Sequence, residues 1–206
     1  MQDEYHWVGS AALSSIGGAP FINDRYIQQL CGLTYEPLVF LYYKLFGNTG
    51  VLLFVRHLYF LLAAGGACLF YRFYRNKTDP IIALSIAALP LVGTFWGSPS
   101  LGYNAIGGIC FGCGSLLALQ GLDQGKTKWI VASAVLFAWA LAAYPTLLLA
   151  LVTLWALILA IRLYMKKPVF KALLLANAIT AGLVGAFLVM HVLRAGWENV
   201  AFSYAF

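Results

Sequence analysis

The sequence predicts an all-α protein, a polytopic bundle of transmembrane helices with an N-terminal extracytoplasmic segment. Two observations lead to this fold class. Of the 206 residues, 62% are hydrophobic and only 10% are charged, whereas about 25% of the residues in a soluble domain are charged. The apolar residues also fall into regularly spaced segments, most of them close to the ~20 residues that a helix needs to cross a bilayer. A multi-pass integral membrane protein accounts for both observations.

The N-terminal segment, 1–48, contains no apolar run long enough to span a membrane. Two short amphipathic helices are expected in it. One covers 7–16, and the other covers 37–46, with Pro37 in its first turn and Gly47 after its end. Both are rich in Trp, Tyr and Phe, which favours an orientation along the membrane interface.

Six transmembrane spans are predicted to follow and to form a bundle over 49–194. Pro90 and Pro145 are expected to kink or end helices, because proline removes a backbone donor and clashes with the preceding turn. Gly108 and Gly112 form a GxxxG step that predicts the close approach of another helix. The predicted spans are 49–71, 80–96, 103–122, 129–144, 146–164 and 172–194.

The basic residues predict the orientation of the bundle. Most Lys and Arg residues are predicted to lie on one side of the membrane. Among the residues outside the spans, the other side holds only Arg25 and Lys44. By the positive-inside rule, the strongly basic side is cytoplasmic. Both termini are therefore expected outside, and 195–206 is predicted to begin an extracytoplasmic loop. Nine of the thirteen Lys and Arg residues lie in three stretches on the cytoplasmic side, namely 72–79, 123–128 and 162–171.

The adjacent acids Asp3 and Glu4 are the strongest candidates for chemistry on the outer side. A carboxylate at the membrane surface can take a proton from an acceptor hydroxyl or amine while that group attacks a lipid-linked donor. Partial desolvation would raise the carboxylate pKa toward a working value. The alternative is a solvated pair of charges. Because no hydrophobic segment precedes the pair to translocate it, we expect one further helix upstream.

Other classes of site receive no support from the sequence. Cys110 and Cys113 have the spacing of a redox motif but lie inside a predicted span, so they are interpreted as packing residues. There is no Gly-rich phosphate loop, paired zinc-ligand motif or hydrolase elbow. The net charge of +6 is assigned to cytoplasmic loops, so no nucleic-acid partner is predicted. No cofactor is predicted either.

Four short motifs occur in a particular order along the chain. They are 3–7 (Asp-Glu-Tyr-His-Trp), 18–26, 36–47 and 55–58 (Val-Arg-His-Leu). This order resembles the C-type glycosyltransferase superfamily, and within it the polyprenyl-phosphate-sugar-dependent enzymes similar to protein O-mannosyltransferases and aminoarabinose transferases. The resemblance implies a first helix, an outer loop with the acidic motif and two membrane-parallel helices, and six further helices. The chain lacks only the first helix of that pattern, which implies a fragment.

Carried over to this sequence, the resemblance implies that Asp3 is the catalytic base and that Glu4 orients or binds the acceptor. Members of the family often carry further acids in the second outer loop, but the stretch 97–104 has none, so no metal is predicted. Tyr103 and Asn104 are predicted to bind substrate. Their alternative role is an aromatic anchor at the interface beside a helix-capping amide.

The phosphate of such a donor requires cationic partners. Arg56, His57 and Arg194 lie in predicted spans near their outer ends, where a charge is costly unless it faces a cavity or a partner. An Arg side chain can hold a phosphate through its planar fork of donors. The alternatives are snorkelling of either Arg to the lipid headgroups and a packing role for His57 and for His191.

The predicted function is an inverting transfer of a sugar from a polyprenyl-phosphate donor to an acceptor on the extracytoplasmic face. The partners are membrane lipid and that donor, while the sugar, the acceptor and the oligomeric state stay open. A bacterial inner membrane is favoured because the outer segments lack glycosylation sequons. The alternatives are a non-catalytic transporter or lipid-binding protein, and an inactive fragment of such a transferase. Paired intramembrane charges and inverted repeats would favour a transporter, and the sequence has neither.

Overall fold

The structure, a computed structural model, describes the backbone of residues 2–18, 20–22, 29–92 and 100–204 and the side chains of 8–18, 20–22, 30–92 and 100–202. Its regular secondary structure within these ranges is entirely helical. The helices are α1 Gln2–Ser15, α2 Gln29–Thr34, α3 Glu36–Phe46, α4 Val51–Tyr74, α5 Pro80–Val92, α6 Tyr103–Gln124, α7 Thr127–Ala143, α8 Leu147–Tyr164, α9 Phe170–Ala195 and α10 Trp197–Tyr204.

Four helices are long and apolar enough to cross a membrane. These are α4, α6, α8 and α9, with 24, 22, 18 and 26 residues. Helices α5 and α7 are apolar but have only 13 and 17 residues. At ~1.5 Å per residue they reach about 20 and 26 Å, compared with a hydrocarbon core of about 30 Å. Length and composition thus identify four candidate spans among the described residues, fewer than the six predicted.

Consecutive helices from α4 to α7 alternate in direction. Helix α7 runs antiparallel to α6, because Gly114 lies beside Phe137 while Gly121 lies beside Ile130. Helix α4 runs parallel to α6. A Cβ added at Gly66 would lie 2.9 Å from Ile109, and one added at Gly112 would lie 3.0 Å from Phe70. The short helix α5 returns the chain between these two parallel helices.

The predicted GxxxG step does not bring two helix backbones together. A Cβ added at Gly108 would meet nothing within 4 Å, and one at Gly112 would meet only the Phe70 ring. The close contacts instead use Gly107, Gly114 and Gly121, where an added Cβ would lie 3.0, 3.0 and 2.7 Å from α7 or α8 side chains. Residues seven apart lie on one face after about two turns, so this row faces α7 and α8 while Gly108 points away.

Helices α1, α2 and α3 pack on one end of the bundle, which we call the outer end. Here α4 and α6 begin and α7 and α9 end. The Cys31 thiol of α2 donates a hydrogen bond of 3.0 Å to the Leu101 carbonyl just before α6. The buried cluster that joins these elements includes Val8, Ala11, Cys31, Tyr35, Val39, Val51, Val55, Leu101, Ile106, Ala140 and Ala143. The opposite end, which we call the basic end, carries the loops predicted to be cytoplasmic.

Several predicted boundaries agree with the structure and others differ. Helix α3 matches the predicted helix 37–46, and Pro145 lies in the turn between α7 and α8. Helix α2 is an additional element. The stretch 195–206, predicted to begin an extracytoplasmic loop, contains α10, whose Val200 is buried against Phe21, Leu30, Leu33 and Ala195.

Candidate functional site

The predicted catalytic pair, Asp3 and Glu4, lies in the first turns of α1, and its side chains are outside the described part of the chain. The helix that carries it is anchored further along. Val8 and Ala11 of α1 are buried in the cluster that also holds Val51 of α4. The fold therefore brings α1 to the outer ends of α4 and α6, the helices that carry the predicted substrate-binding residues Arg56, His57, Tyr103 and Asn104.

Arg194 is held by an acidic partner at the outer end. Its two terminal nitrogens donate to the two carboxylate oxygens of Glu36 at 2.8 and 2.9 Å. One of them also donates to the Ser14 hydroxyl at 3.0 Å, and that hydroxyl donates to Glu36 at 2.7 Å. We call these three residues the outer-end cluster. It joins α1, α3 and α9 through a bidentate ion pair, which has both charge and fixed geometry.

The outer-end cluster keeps Glu36 ionised. Burial, the largest single contribution, raises the pKa of the Glu36 carboxyl. Hydrogen bonds from Arg194 and Ser14, together with the Arg194 charge, outweigh it, so the pKa lies below its usual range. The Glu36 side chain is only 12% exposed, compared with 37% for Arg194. A charged carboxylate at this depth is stable because its partner is in place.

His191 lies one turn before Arg194 on α9 and is fully buried. Its ring packs edge-on against Phe187 and Phe21, with ring centroids 4.5 and 5.5 Å apart. Neither ring nitrogen has a hydrogen-bond partner among the described residues. The aromatic surroundings match the packing role considered for this residue.

The two predicted phosphate-binding residues of α4 have different surroundings. Arg56 is half-buried in the second turn of the helix. His57 is exposed, and its Nδ1 donates to the Leu53 carbonyl one turn earlier at 2.7 Å. One of its ring nitrogens is therefore used by its own helix, which leaves the other for a ligand.

A cavity of about 240 Å³ lies between α4, α5 and α6 near the outer end. Tyr59, Leu89, Pro90 and Ile109 form much of its wall, and Asn104 contributes a polar group. The Tyr59 hydroxyl is buried and has no hydrogen-bond partner within the described part of the chain. An apolar wall with two polar groups suits an apolar chain that carries a hydrogen-bonding oxygen.

Tyr103 and Asn104, predicted as a pair, have separate environments. The Tyr103 ring packs against that of Tyr144, with centroids 5.0 Å apart. Asn104 is exposed and lines the cavity. Adjacent helical residues point about 100° apart, and of these two residues Asn104 lines the cavity whereas Tyr103 does not.

The described side chains include no group of three His, Cys, Asp or Glu residues that could hold a metal ion. Cys31, Cys110 and Cys113 are buried free thiols. Burial raises the pKa of the Cys31 thiol well above its usual value. This thiol is therefore a packing group and a weak donor rather than a nucleophile.

Neither a family model, nor a curated protein, nor a solved structure matches this chain. The resemblance to C-type glycosyltransferases therefore rests on the four motifs alone.

Sequence reasoning missed the roles of Ser14, Glu36 and Tyr59. One signal pointed to the Glu36 ion pair: the charge distribution assigned Glu36 and Arg194 to the same side of the membrane. No signal in the sequence distinguished Tyr59 from the other eleven tyrosines.

Proposed function

We propose that this protein is an inverting membrane glycosyltransferase that uses a polyprenyl-phosphate-linked sugar. The observation that carries the proposal is the packing of α1, the helix with Asp3 and Glu4, at the outer end, where its Val8 and Ala11 share one buried cluster with Val51 of α4 and Ile106 of α6. In the proposed site, an acid from the aqueous side acts next to a space suited to a lipid chain. The motif order supports the same function.

In the proposed reaction Asp3 accepts the proton of the acceptor hydroxyl or amine. The acceptor atom forms a bond to the anomeric carbon from the face opposite the phosphate. The bond between that carbon and the phosphate oxygen breaks, its electron pair leaves with the polyprenyl phosphate, and the configuration inverts. Glu4 orients the acceptor, and Arg56 and His57 stabilise the leaving phosphate. Arg194 holds α3 to α9 through Glu36 and supports the site from outside it.

The proposal includes six membrane crossings with both termini extracytoplasmic, in a bacterial inner membrane. Two observations support crossings by the short helices α5 and α7. Helix α7 lies antiparallel along α6 from Gly114–Phe137 to Gly121–Ile130, and α5 returns the chain between the parallel helices α4 and α6. Burial against longer neighbours, which involves 9 of the 17 residues of α7, lets a short helix cross where the protein shields its ends from lipid.

The decisive experiment is Asp3→Asn in proteoliposomes with a labelled polyprenyl-phosphate sugar. We expect transfer to fall by about 10²–10⁴-fold, the range for loss of a general base. The matched control is Glu198→Gln, which removes another acid predicted for the same side and should leave transfer unchanged. Undiminished transfer by Asp3→Asn would remove this residue from the mechanism.

A non-catalytic lipid-binding protein is the second candidate. The observation that favours it is the α4–α5–α6 cavity, whose buried Tyr59 hydroxyl needs a hydrogen-bond acceptor but no catalytic acid. In the same assay this function predicts binding of the lipid carrier without transfer by the wild-type protein. Asp3→Asn would then leave binding unchanged, whereas Tyr59→Phe would weaken it.

A further inference from the structure

A second cavity lies at the basic end of the bundle, far from the proposed catalytic region. It encloses about 480 Å³ between the last turn of α6, the start of α7 and the start of α9. Its wall contains the apolar side chains of Leu122, Ile130 and Leu175 and, on the loop side, Lys126 and Lys171. Both lysines are exposed, so their ammonium groups can lie in the headgroup region while the apolar wall faces the chain region.

The backbone adds to the positive character of this cavity. Helix α7 begins at Thr127 and α9 begins at Phe170, and both residues line the cavity. The first turn of a helix has backbone N–H groups without helical acceptors, and its dipole favours an anion. Two such turns and two lysines therefore converge on one space.

Nearby carboxylates have local partners. Asp123, near the end of α6, forms an ion pair with Arg162, the buried arginine of α8. Asp79, in the preceding loop at the same end, accepts a hydrogen bond of 2.8 Å from the Ile81 backbone at the start of α5. Neither acid lines the cavity. The local charge balance of the cavity wall is thus positive.

We propose that this cavity binds an anionic phospholipid, with its phosphate between Lys126 and Lys171 and one acyl chain along Leu122, Ile130 and Leu175. The apolar wall distinguishes this ligand from a soluble phosphate, which would leave that surface unfilled. Basic pockets between helices on the cytoplasmic side of membrane proteins hold lipid headgroups by the same combination of charges. The site is independent of the glycosyltransferase proposal.

The test is lipid binding to the purified chain in a neutral detergent, measured by native mass spectrometry with dioleoyl-phosphatidylglycerol and dioleoyl-phosphatidylcholine. The two lipids have the same chains and differ in headgroup charge. We expect preferential retention of phosphatidylglycerol. In K126Q/K171Q the affinity for it should fall about thirty-fold, the effect of removing two lysines near an anionic headgroup.

The matched control is K166Q/K167Q, which removes the same charge from the same end but from residues outside the cavity wall. Its affinity should stay within about threefold of wild type, because exposed charges at a distance are screened. K126R/K171R keeps the charge and should retain binding. An unchanged thermal unfolding midpoint would establish that the variants are folded.

Three results would overturn the proposal. Equal retention of the two lipids would mean that the cavity holds only apolar chains. Equal loss in K126Q/K171Q and K166Q/K167Q would mean that the whole basic surface attracts the lipid. Displacement of phosphatidylglycerol by millimolar inorganic phosphate would identify a soluble anion as the ligand.

Discussion

Glu36 is the residue through which the N-terminal helices are joined to the last long helix. Its carboxylate accepts from both terminal nitrogens of Arg194 and from the Ser14 hydroxyl. Each of these bonds is charge-assisted, and the Glu36 side chain is largely shielded from water. An ion pair of this kind contributes most to stability through the cost of leaving one partner alone.

Replacing Glu36 should therefore destabilise the protein more than removing an exposed acid. We expect Glu36→Gln to lower the free energy of unfolding by roughly 1–3 kcal/mol, the range for a buried polar partner left unsatisfied. The measurement is denaturant unfolding in a mild detergent. The control is Glu198→Gln, an exposed acid in the first turn of α10, with an expected loss below about 1 kcal/mol. Equal losses in the two variants would contradict the role given to the cluster.

The same carboxylate should make stability depend on pH. The folded-state pKa of Glu36 is lowered, so its contribution is present above the unfolded-state pKa of about 4.3 and is lost as pH falls through the folded-state pKa. The wild-type midpoint of thermal unfolding should therefore drop between neutral pH and pH 3. Glu36→Gln should reduce that drop, because the amide does not titrate. A parallel pH profile for the variant would contradict this assignment.

Helix α6 is the central element of the bundle, and its packing depends on which glycine faces a neighbour. Gly121 is buried, and an added Cβ would lie 2.7 Å from the Ile130 side chain and 3.1 Å from its backbone nitrogen. Gly108 lies in the same helix with open space around it. The two positions form a matched pair, because the intrinsic helix preference for alanine over glycine acts equally on both.

Gly121→Ala should destabilise the protein by roughly 1–3 kcal/mol, since the backbone nitrogen of Ile130 cannot move without shifting α7. Gly108→Ala should be neutral or stabilise by up to about 1 kcal/mol, because it gains helix preference without a clash. Thermal unfolding in detergent measures both. A stabilising Gly121→Ala would mean that α6 and α7 are further apart than described.

The sequence predicted helices better than it predicted their contacts. Pro37, Pro145 and the long apolar runs predicted where most helices begin and end. Helix α2, with 6 residues, is too short for any periodicity to be recognised. Buried faces could not be predicted, because lipid-facing and core-facing residues are equally apolar in a membrane bundle. Ile81, 76% exposed, and Val55, fully buried, belong to the same chemical class.

The candidate site was predictable only where charge limits the choices. The charge distribution assigned Glu36 and Arg194 to the same side of the membrane, and the two residues do meet at one end of the bundle. Their pairing could not be predicted from residues so far apart in sequence. The cavity wall at Tyr59 and Asn104 depends on the relative rotation of α4, α5 and α6, which the sequence pattern does not encode.

At the scale of the whole molecule, the proposed topology predicts which positions face which compartment. Single cysteines at Asn48 and Glu198, both exposed at the outer end, should react with a membrane-impermeant maleimide in intact cells. Cysteines at Thr78 and Gly125, exposed at the basic end, should react only after permeabilisation. Cys68, the exposed natural thiol, is replaced by alanine in the parent. Labelling of the cysteine introduced at Thr78 in intact cells would contradict the topology.

The outer-end cluster also has a consequence for biogenesis. Glu36 and Arg194 are 158 residues apart, and Ser14 and Arg194 are 180 apart. At about 5–20 residues per second of synthesis, roughly 8 to 30 seconds separate the emergence of Glu36 from that of its counter-ion. During that interval the N-terminal helices have an acid without its partner. The outer-end cluster thus forms only after α9 is made. A ribosome that stops before α9 releases a chain whose N-terminal helices can still pack on α4, α6 and α7, but in which Glu36 has no counter-ion.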